Sequence, residues 1–193
     1  VASVTASGQV RAQMKVDVAA DITGRITRLA VKEGDNVAKG QLLLQIDPQE
    51  FEAALQRSEA QLANAKAAAA QSAANLQQAT SSYRRSQDIR QSNPNLVSAE
   101  QLEQLKTAVD VNQALVEASR HNVEQAEAGV KDARVRLGKT TLYAEMAGRV
   151  TRLVIEQGET AIQGTMNRDA ATLLTISDMS TLETKVKVDE TDV

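Results

Sequence analysis

The sequence predicts an α+β fold in which two β half-sandwiches are split by a long antiparallel α-helical coiled-coil hairpin. Three observations lead there. A seven-residue apolar repeat runs through residues 48–138, one turn cluster interrupts it, and a motif at residues 24–40 returns at residues 148–164.

The second arm of the hairpin is the clearer one. Leu102, Val109, Val116, Val123, Val130 and Leu137 recur every seven residues, with Leu105, Asn112, Ser119, Ala126 and Ala133 interposed. This a/d spacing is the stripe of a helix that buries one seam against a partner helix. The first arm repeats it with Leu55, Leu62, Ala69, Leu76 and Tyr83 on one register and Phe51, Ser58, Ala65, Ser72, Ala79 and Ser86 on the other. Asp47-Pro48-Gln49-Glu50 reads as an N-cap, a proline at the first helical position and a capping glutamate, with Ile46 and Phe51 as a staple. Ser98 and Gln101 form a second capping box, with Val97 and Leu102 as its staple. Ser92-Asn93-Pro94-Asn95 is a turn between the arms. Each arm of roughly 40 residues would be about 60 Å long.

The split motif supplies the β part. Gly24, Arg25, Thr27, Arg28, Leu29, Gly34 and Gly40 recur as Gly148, Arg149, Thr151, Arg152, Leu153, Gly158 and Gly164. Leu43-Leu44-Gln45-Ile46 is answered by Leu173-Leu174-Thr175-Ile176, and the second copy has extra residues around Met166-Asn167-Arg168. Strand, glycine turn, strand is a half-sandwich, with Leu29, Val31, Leu44 and Ile46 directed inward. The glycines are expected to supply positive φ. One half cannot bury its apolar face, whereas two can bury theirs against each other. Strand ends lying side by side would start and finish the two helices together. Residues 2–20 read as two further strands.

Composition narrows the function. The chain has 193 residues, 42% hydrophobic and 24% charged, with net charge −3 and 2% aromatics. A two-helix hairpin has little interior, so an extended molecule is expected. Slight acidity without a clustered basic face argues against nucleic acid. There is no cysteine, so neither a disulfide framework nor a thiolate metal site. No segment is apolar enough to span a bilayer and no signal peptide is visible; residue 1 falls inside a strand-like run, which suggests a fragment. His121, the only histidine, falls opposite the seam, where solvation is expected. No phosphate-cradling glycine loop and no nucleophile with an adjacent base can be built, so no enzyme and no cofactor are expected. Arg25, Arg28, Arg149 and Arg152 read as a solvated strand face.

Gly34-Asp35, Val37, Gly40 and Leu43 resemble the biotinyl/lipoyl carrier fold, except that the turn which would present a modified lysine is replaced by the hairpin. A lipoyl-like domain split in this way resembles the membrane fusion (periplasmic adaptor) proteins of the HlyD type, over essentially the whole chain. Val4-Thr5-Ala6-Ser7-Gly8 and Val16-Asp17-Val18 look like their first strands. Leu173 to Ser180 and Val188-Asp189-Glu190-Thr191-Asp192-Val193 are similar to the MacA-like adaptors of macrolide exporters, where this segment begins a β-barrel domain.

The resemblance implies a partial β-barrel domain at 1–17 and 178–193, a lipoyl-like domain at 18–47 and 139–177, and the hairpin at 48–138. The barrel is then incomplete here and a membrane-proximal domain lies outside the chain. It implies a periplasmic location at the inner membrane and a homo-oligomer, a hexameric funnel. An inner-membrane transporter of ABC type and an outer-membrane TolC-like channel are the implied partners. A proton-driven (RND) pump or a type I protein secretion system is the alternative transporter. The hairpin tip would meet the channel through Arg85, Ile89 and Ser98. Ile89 stands where leucine is usual, the stretch to Ser98 is longer by two residues, and Ser98 has a capping role of its own. Gln157 would line the central channel, or be an ordinary exposed loop glutamine. The scattered Met14, Met146, Met166 and Met179 argue against the methionine sites of copper- or silver-exporting adaptors. Ala67 to Ala70 with Ala73 and Ala74 are either a face for a neighbouring hairpin or simply good helix formers. A modified-lysine carrier and a coiled-coil spacer are the alternatives from other classes.

Overall fold

A computed structural model of the chain describes residues 7–163 and 171–187. Of the residues singled out above, Val4, Thr5, Ala6, Gly164, Met166, Asn167, Arg168 and the segment 188–193 lie outside them. The chain divides into a β unit, Val1–Glu50 with Arg136–Val193, and a helical unit, Phe51–Val135.

The β unit contains β1 (Ser7–Ala12), β2 (Lys15–Ala19), β3 (Gly24–Leu29), β4 (Asn36–Val37) and β5 (Leu42–Ile46) before the hairpin. After it come β6 (Thr141–Tyr143), β7 (Gly148–Leu153), β8 (Thr160–Ala161), β9 (Thr172–Ser177) and β10 (Leu182–Lys187). Two four-stranded antiparallel sheets run β2-β9-β7-β4 and β6-β5-β3-β8, and β1 pairs with β10 in a separate ribbon.

The repeats do bury their apolar faces together, but not as two separate halves. Each lends its short strand to the other: β4 pairs with β7, Val37 opposite Gly148, and β8 pairs with β3, Ala161 opposite Gly24. Fully buried residues come as repeat mates, Ile26 with Val150, Leu44 with Leu174 and Ile46 with Ile176. The strict inward–outward alternation fails at two places. Leu43 is as buried as Leu44, at a register shift in β5 where a bulge lets neighbours share a face. All six residues of β9 are buried. Thr175 Oγ1 there donates to Asp17 Oδ1 at 2.8 Å, and Ser177 Oγ lies 2.9 Å from Thr151 Oγ1, so the buried hydroxyls are satisfied.

The glycines divide by cause. Gly34, Gly40 and Gly158 have φ of 95, 82 and 97°, as the turns demand. Gly24 and Gly148 do not have positive φ; they are small because strands pack on them. A Cβ at Gly24 would lie 2.5 Å from Ile46 Cγ2, and one at Gly148 would lie 2.7 Å from the Ser177 carbonyl oxygen.

Strands β5 and β6 are neighbours, and the Ile46 N–H donates to the Thr140 carbonyl at 2.7 Å. The chain therefore leaves and re-enters the β unit at adjacent points. Helix α1 (Gln49–Ser92) starts with Asp47 Oδ1 accepting the Gln49 N–H at 3.1 Å. Glu50 does not complete the box: the Asp47 N–H donates to the Arg25 carbonyl at 2.8 Å instead. Helix α2 (Ala99–Gly138) starts with Ser98 Oγ accepting the Gln101 N–H at 3.0 Å. Ser98→Ala should cost the hairpin about 1 kcal/mol. Hydrogen exchange in the first turn of α2 checks this, and unchanged protection there would refute it.

Every predicted seam position on both arms is half-buried or buried, and Val130 and Ala133 are the most enclosed. The register is antiparallel. Glu59 pairs with Arg134 at 3.6 Å, Lys66 with Glu127 at 3.2 Å, and Ser72 Oγ with Ser119 Oγ at 2.8 Å. The two charged pairs are exposed and add little stability. The serine pair lies in the seam itself, where a matched polar contact selects one register over its neighbours.

Candidate interaction sites

Three of the four sequence-derived site residues lie in the helical unit, and Gln157 lies in the β unit. Arg85 is exposed on α1 one turn before Ile89, so the two share a helix face. Ile89 is 40% exposed, high for a large apolar side chain. Ser98 is exposed across the turn, but its hydroxyl already accepts the Gln101 N–H.

The turn itself is ordered by its own side chains. Asn93 N–H donates to the Ile89 carbonyl at 2.8 Å, and Asn93 Oδ1 accepts the Asn95 N–H at 3.3 Å. Within this turn Leu96 is 67% exposed while its neighbour Val97 is buried. Leu96 was not singled out from sequence; an apolar residue inside a polar turn cluster is the signal that could have found it.

A second missed feature is an exposed apolar stripe on α2. Val111 and Leu115 are 53% and 51% exposed, and Ala118 continues them at helical spacing. These residues lie off the a/d positions, so a heptad pattern does not mark them. On α1, Ala67, Ala68, Ala70, Ala73 and Ala74 are all exposed as well.

In the β unit Gln157 is exposed, and its Nε2 donates to the Thr27 carbonyl at 2.8 Å. The next residue, Gly158, makes the positive-φ turn. The repeat arginines are exposed as expected, yet two of them are not idle. Arg25 Nε donates to the Gly158 carbonyl at 3.2 Å and Arg149 Nε to the Gly34 carbonyl at 2.8 Å.

Two grooves on the β unit are lined largely by polar groups. One, of about 430 Å³, includes Asp17, Asp21, Lys139, Tyr143 and Glu145; the other, of about 250 Å³, includes Lys15, Asp17, Thr151, Arg152 and Thr175. Such linings suit water and ions rather than an apolar solute. Among the described residues no cluster of His, Cys, Asp and Glu could hold a metal ion. His121 is exposed with its Nδ1 3.1 Å from Glu124 Oε2. Hydrogen bonds from His121 and then Arg120 hold the Glu124 carboxyl below the usual carboxylate range. Asp178 is held low likewise by the Ser180 N–H, which its Oδ1 accepts at 2.8 Å.

A family model for the barrel-sandwich hybrid domain of RND membrane fusion proteins matches residues 14–174. The chain belongs to the membrane fusion protein family. Among curated members, the macrolide export protein MacA of Escherichia coli O157:H7 is 36% identical over 191 residues, covering 99% of this chain and 50% of that protein. The pyoverdine export membrane fusion protein PvdR of Pseudomonas putida KT2440 is 32% identical over 194 residues, covering 99% and 47%. The crystal structure of MacA from Actinobacillus actinomycetemcomitans superposes with a TM-score of 0.87 at 26% identity, covering 100% of this chain and 58% of that one. This membrane fusion protein chain thus spans about half the length of the curated relatives it matches. No described helix is long and apolar enough to cross a membrane.

Proposed function

We propose that this chain is the central part of a non-catalytic periplasmic adaptor for efflux. It links an inner-membrane transporter of ABC type to an outer-membrane channel of the TolC type. One observation carries the reading: two helices of 44 and 40 residues, held by one continuous seam, are inserted between β halves that close over each other. A helix of that length reaches about 60 Å, and an inserted seam-locked pair gives reach and stiffness to a protein that must bridge two membranes.

In this reading residues 18–47 and 139–177 are the lipoyl-like domain, and residues 1–17 and 178–193 begin a β-barrel domain. The antiparallel pairing of β1 with β10 supports the latter grouping. Arg85, Ile89 and Ser98 meet the channel at the hairpin tip. Gln157 lines the conduit of a hexameric ring. The ABC assignment rests on the likeness of residues 173–180 to macrolide-exporter adaptors. A proton-driven partner is the second reading, favoured by the family model's description.

The exposed stripe Val111, Leu115 and Ala118 on α2 and the alanine face on α1 support lateral packing of neighbouring hairpins. Two unlike faces on one protomer make a head-to-tail contact, the kind that generates a ring when its rotation closes. Ala70→Glu with Ala74→Glu should lower assembly in analytical ultracentrifugation while leaving helix content unchanged. Assembly at wild-type levels would remove the alanine face from the interface.

Purification of the full-length adaptor from gently solubilised envelopes, followed by mass spectrometry of co-purifying proteins, tests the whole. An ABC permease with a TolC-like channel is the expected result, and a proton-driven pump would select the second reading. If neither transporter nor channel is recovered under conditions that preserve a known tripartite pump, the adaptor reading fails.

A further inference from the structure

The β unit builds the same corner twice, and the two copies differ at one chemically decisive residue. In each, an arginine from one repeat holds the glycine turn of the other, Arg149 on the Gly34 carbonyl and Arg25 on the Gly158 carbonyl. Backbone bonds double each contact: Gly34 N–H to the Val150 carbonyl at 2.8 Å, and Gly158 N–H to the Ile26 carbonyl at 3.0 Å. Each turn is closed by an acidic side chain, with Asp35 Oδ2 accepting the Lys32 N–H and Glu159 Oε2 accepting the Glu156 N–H, both at 2.9 Å. Before the glycine, however, stands Glu33 in one copy and Gln157 in the other. A carboxylate only accepts, so it cannot bond a backbone carbonyl, whereas an amide can donate. Gln157 Nε2 does donate, to the Thr27 carbonyl at 2.8 Å.

We propose that Arg25 is a positioning residue for Gln157. By holding the Gly158 carbonyl, Arg25 keeps the turn seated against β3, so that the Gln157 amide stays bonded to Thr27 and presents its oxygen outward as a fixed acceptor. The same grip by Arg149 fixes a turn with no such amide and is purely structural. The value of this for transport rests on the reading that Gln157 lines the conduit.

The internal repeat supplies the control. In the 193-residue chain, 15N relaxation of the Gln157 side-chain amide, assigned by its loss in Gln157→Ala, reports its mobility directly. Arg25→Met keeps the aliphatic stem and removes the donor; it should drop the amide order parameter from the rigid range to below about 0.6. Arg149→Met should leave that order parameter unchanged, even where its melting temperature falls as far. In full-length protein, Gln157→Ala should lower transport. An unchanged amide in Arg25→Met, or equal loosening in Arg149→Met, overturns the proposal. If the amide loosens as expected but Gln157→Ala transports like wild type, positioning stands and the conduit role of Gln157 falls.

Discussion

Leu174→Ala should destabilise the β unit by about 2–5 kcal/mol, the range for a large-to-small change where the core cannot collapse. Leu174 is completely buried, opposite Val18 of β2 on one side and Leu153 of β7 on the other. Its neighbours in the core come from both repeats, so the hole would open where the two sheets depend on each other. Strand packing on every side leaves little room for relaxation. Leu182→Ala, at a 52% exposed position on β10, should be nearly neutral. Urea unfolding followed by hydrogen exchange in β7 and β9 separates the β unit from the helices that dominate circular dichroism. Equal midpoints for the two variants would show that the assignment of the core is wrong.

Gly148→Ala should cost about 3 kcal/mol, the upper end for overpacking a well-filled site. The new methyl would sit 2.7 Å from the Ser177 carbonyl oxygen and 2.9 Å from Ile176 Cγ2. Neither can yield, because Ser177 is paired in β9 with Arg149 and Ile176 is wholly buried. Gly40→Ala makes the instructive comparison. Nothing lies within 4 Å of a Cβ there, and its cost is conformational, set by φ of 82° at about 1–2 kcal/mol. Thermal melts of the two variants should rank Gly148→Ala as the less stable. The reverse order would mean that β7 and β9 can separate locally at little cost.

These two glycines also show where sequence reasoning succeeds and where it stops. The repeat marks both and predicts one reason, positive φ, for both; it holds at Gly40 and not at Gly148. A backbone angle is a local property that turn residues announce, whereas a strand passing over Gly148 is a long-range fact. The hairpin's seam was legible, since a heptad needs only neighbours a few residues away, and Leu102 through Leu137 occupy it as spaced. Exchange of β4 and β8 was not legible, because two-residue strands carry no periodicity. The roles of Arg25 and Arg149 were hidden for the same reason: an exposed arginine on a strand looks solvated until the opposite turn is seen. At the tip, the turn cluster was visible in the sequence, but not that it would leave Leu96 outward and Val97 inward.

The exchange of short strands has a consequence for how the protein is made. Arg25 and Gly158 are 133 residues apart in sequence, and the sheets cannot be completed until both repeats exist. The first repeat therefore emerges during synthesis with open edges, a condition that invites mispairing. Closing so long a loop at random is slow, and such non-local pairing is what retards β folding. The hairpin changes that search. Its contacts are progressively nested, from the turn outward through Ser72–Ser119 to Glu59–Arg134, so it can zip from its tip before the second repeat has paired. Zipping carries residues 47 and 139 together and shortens the loop that remains to a few residues. The hairpin would then act, during folding, as the clasp that delivers one half of the sandwich to the other.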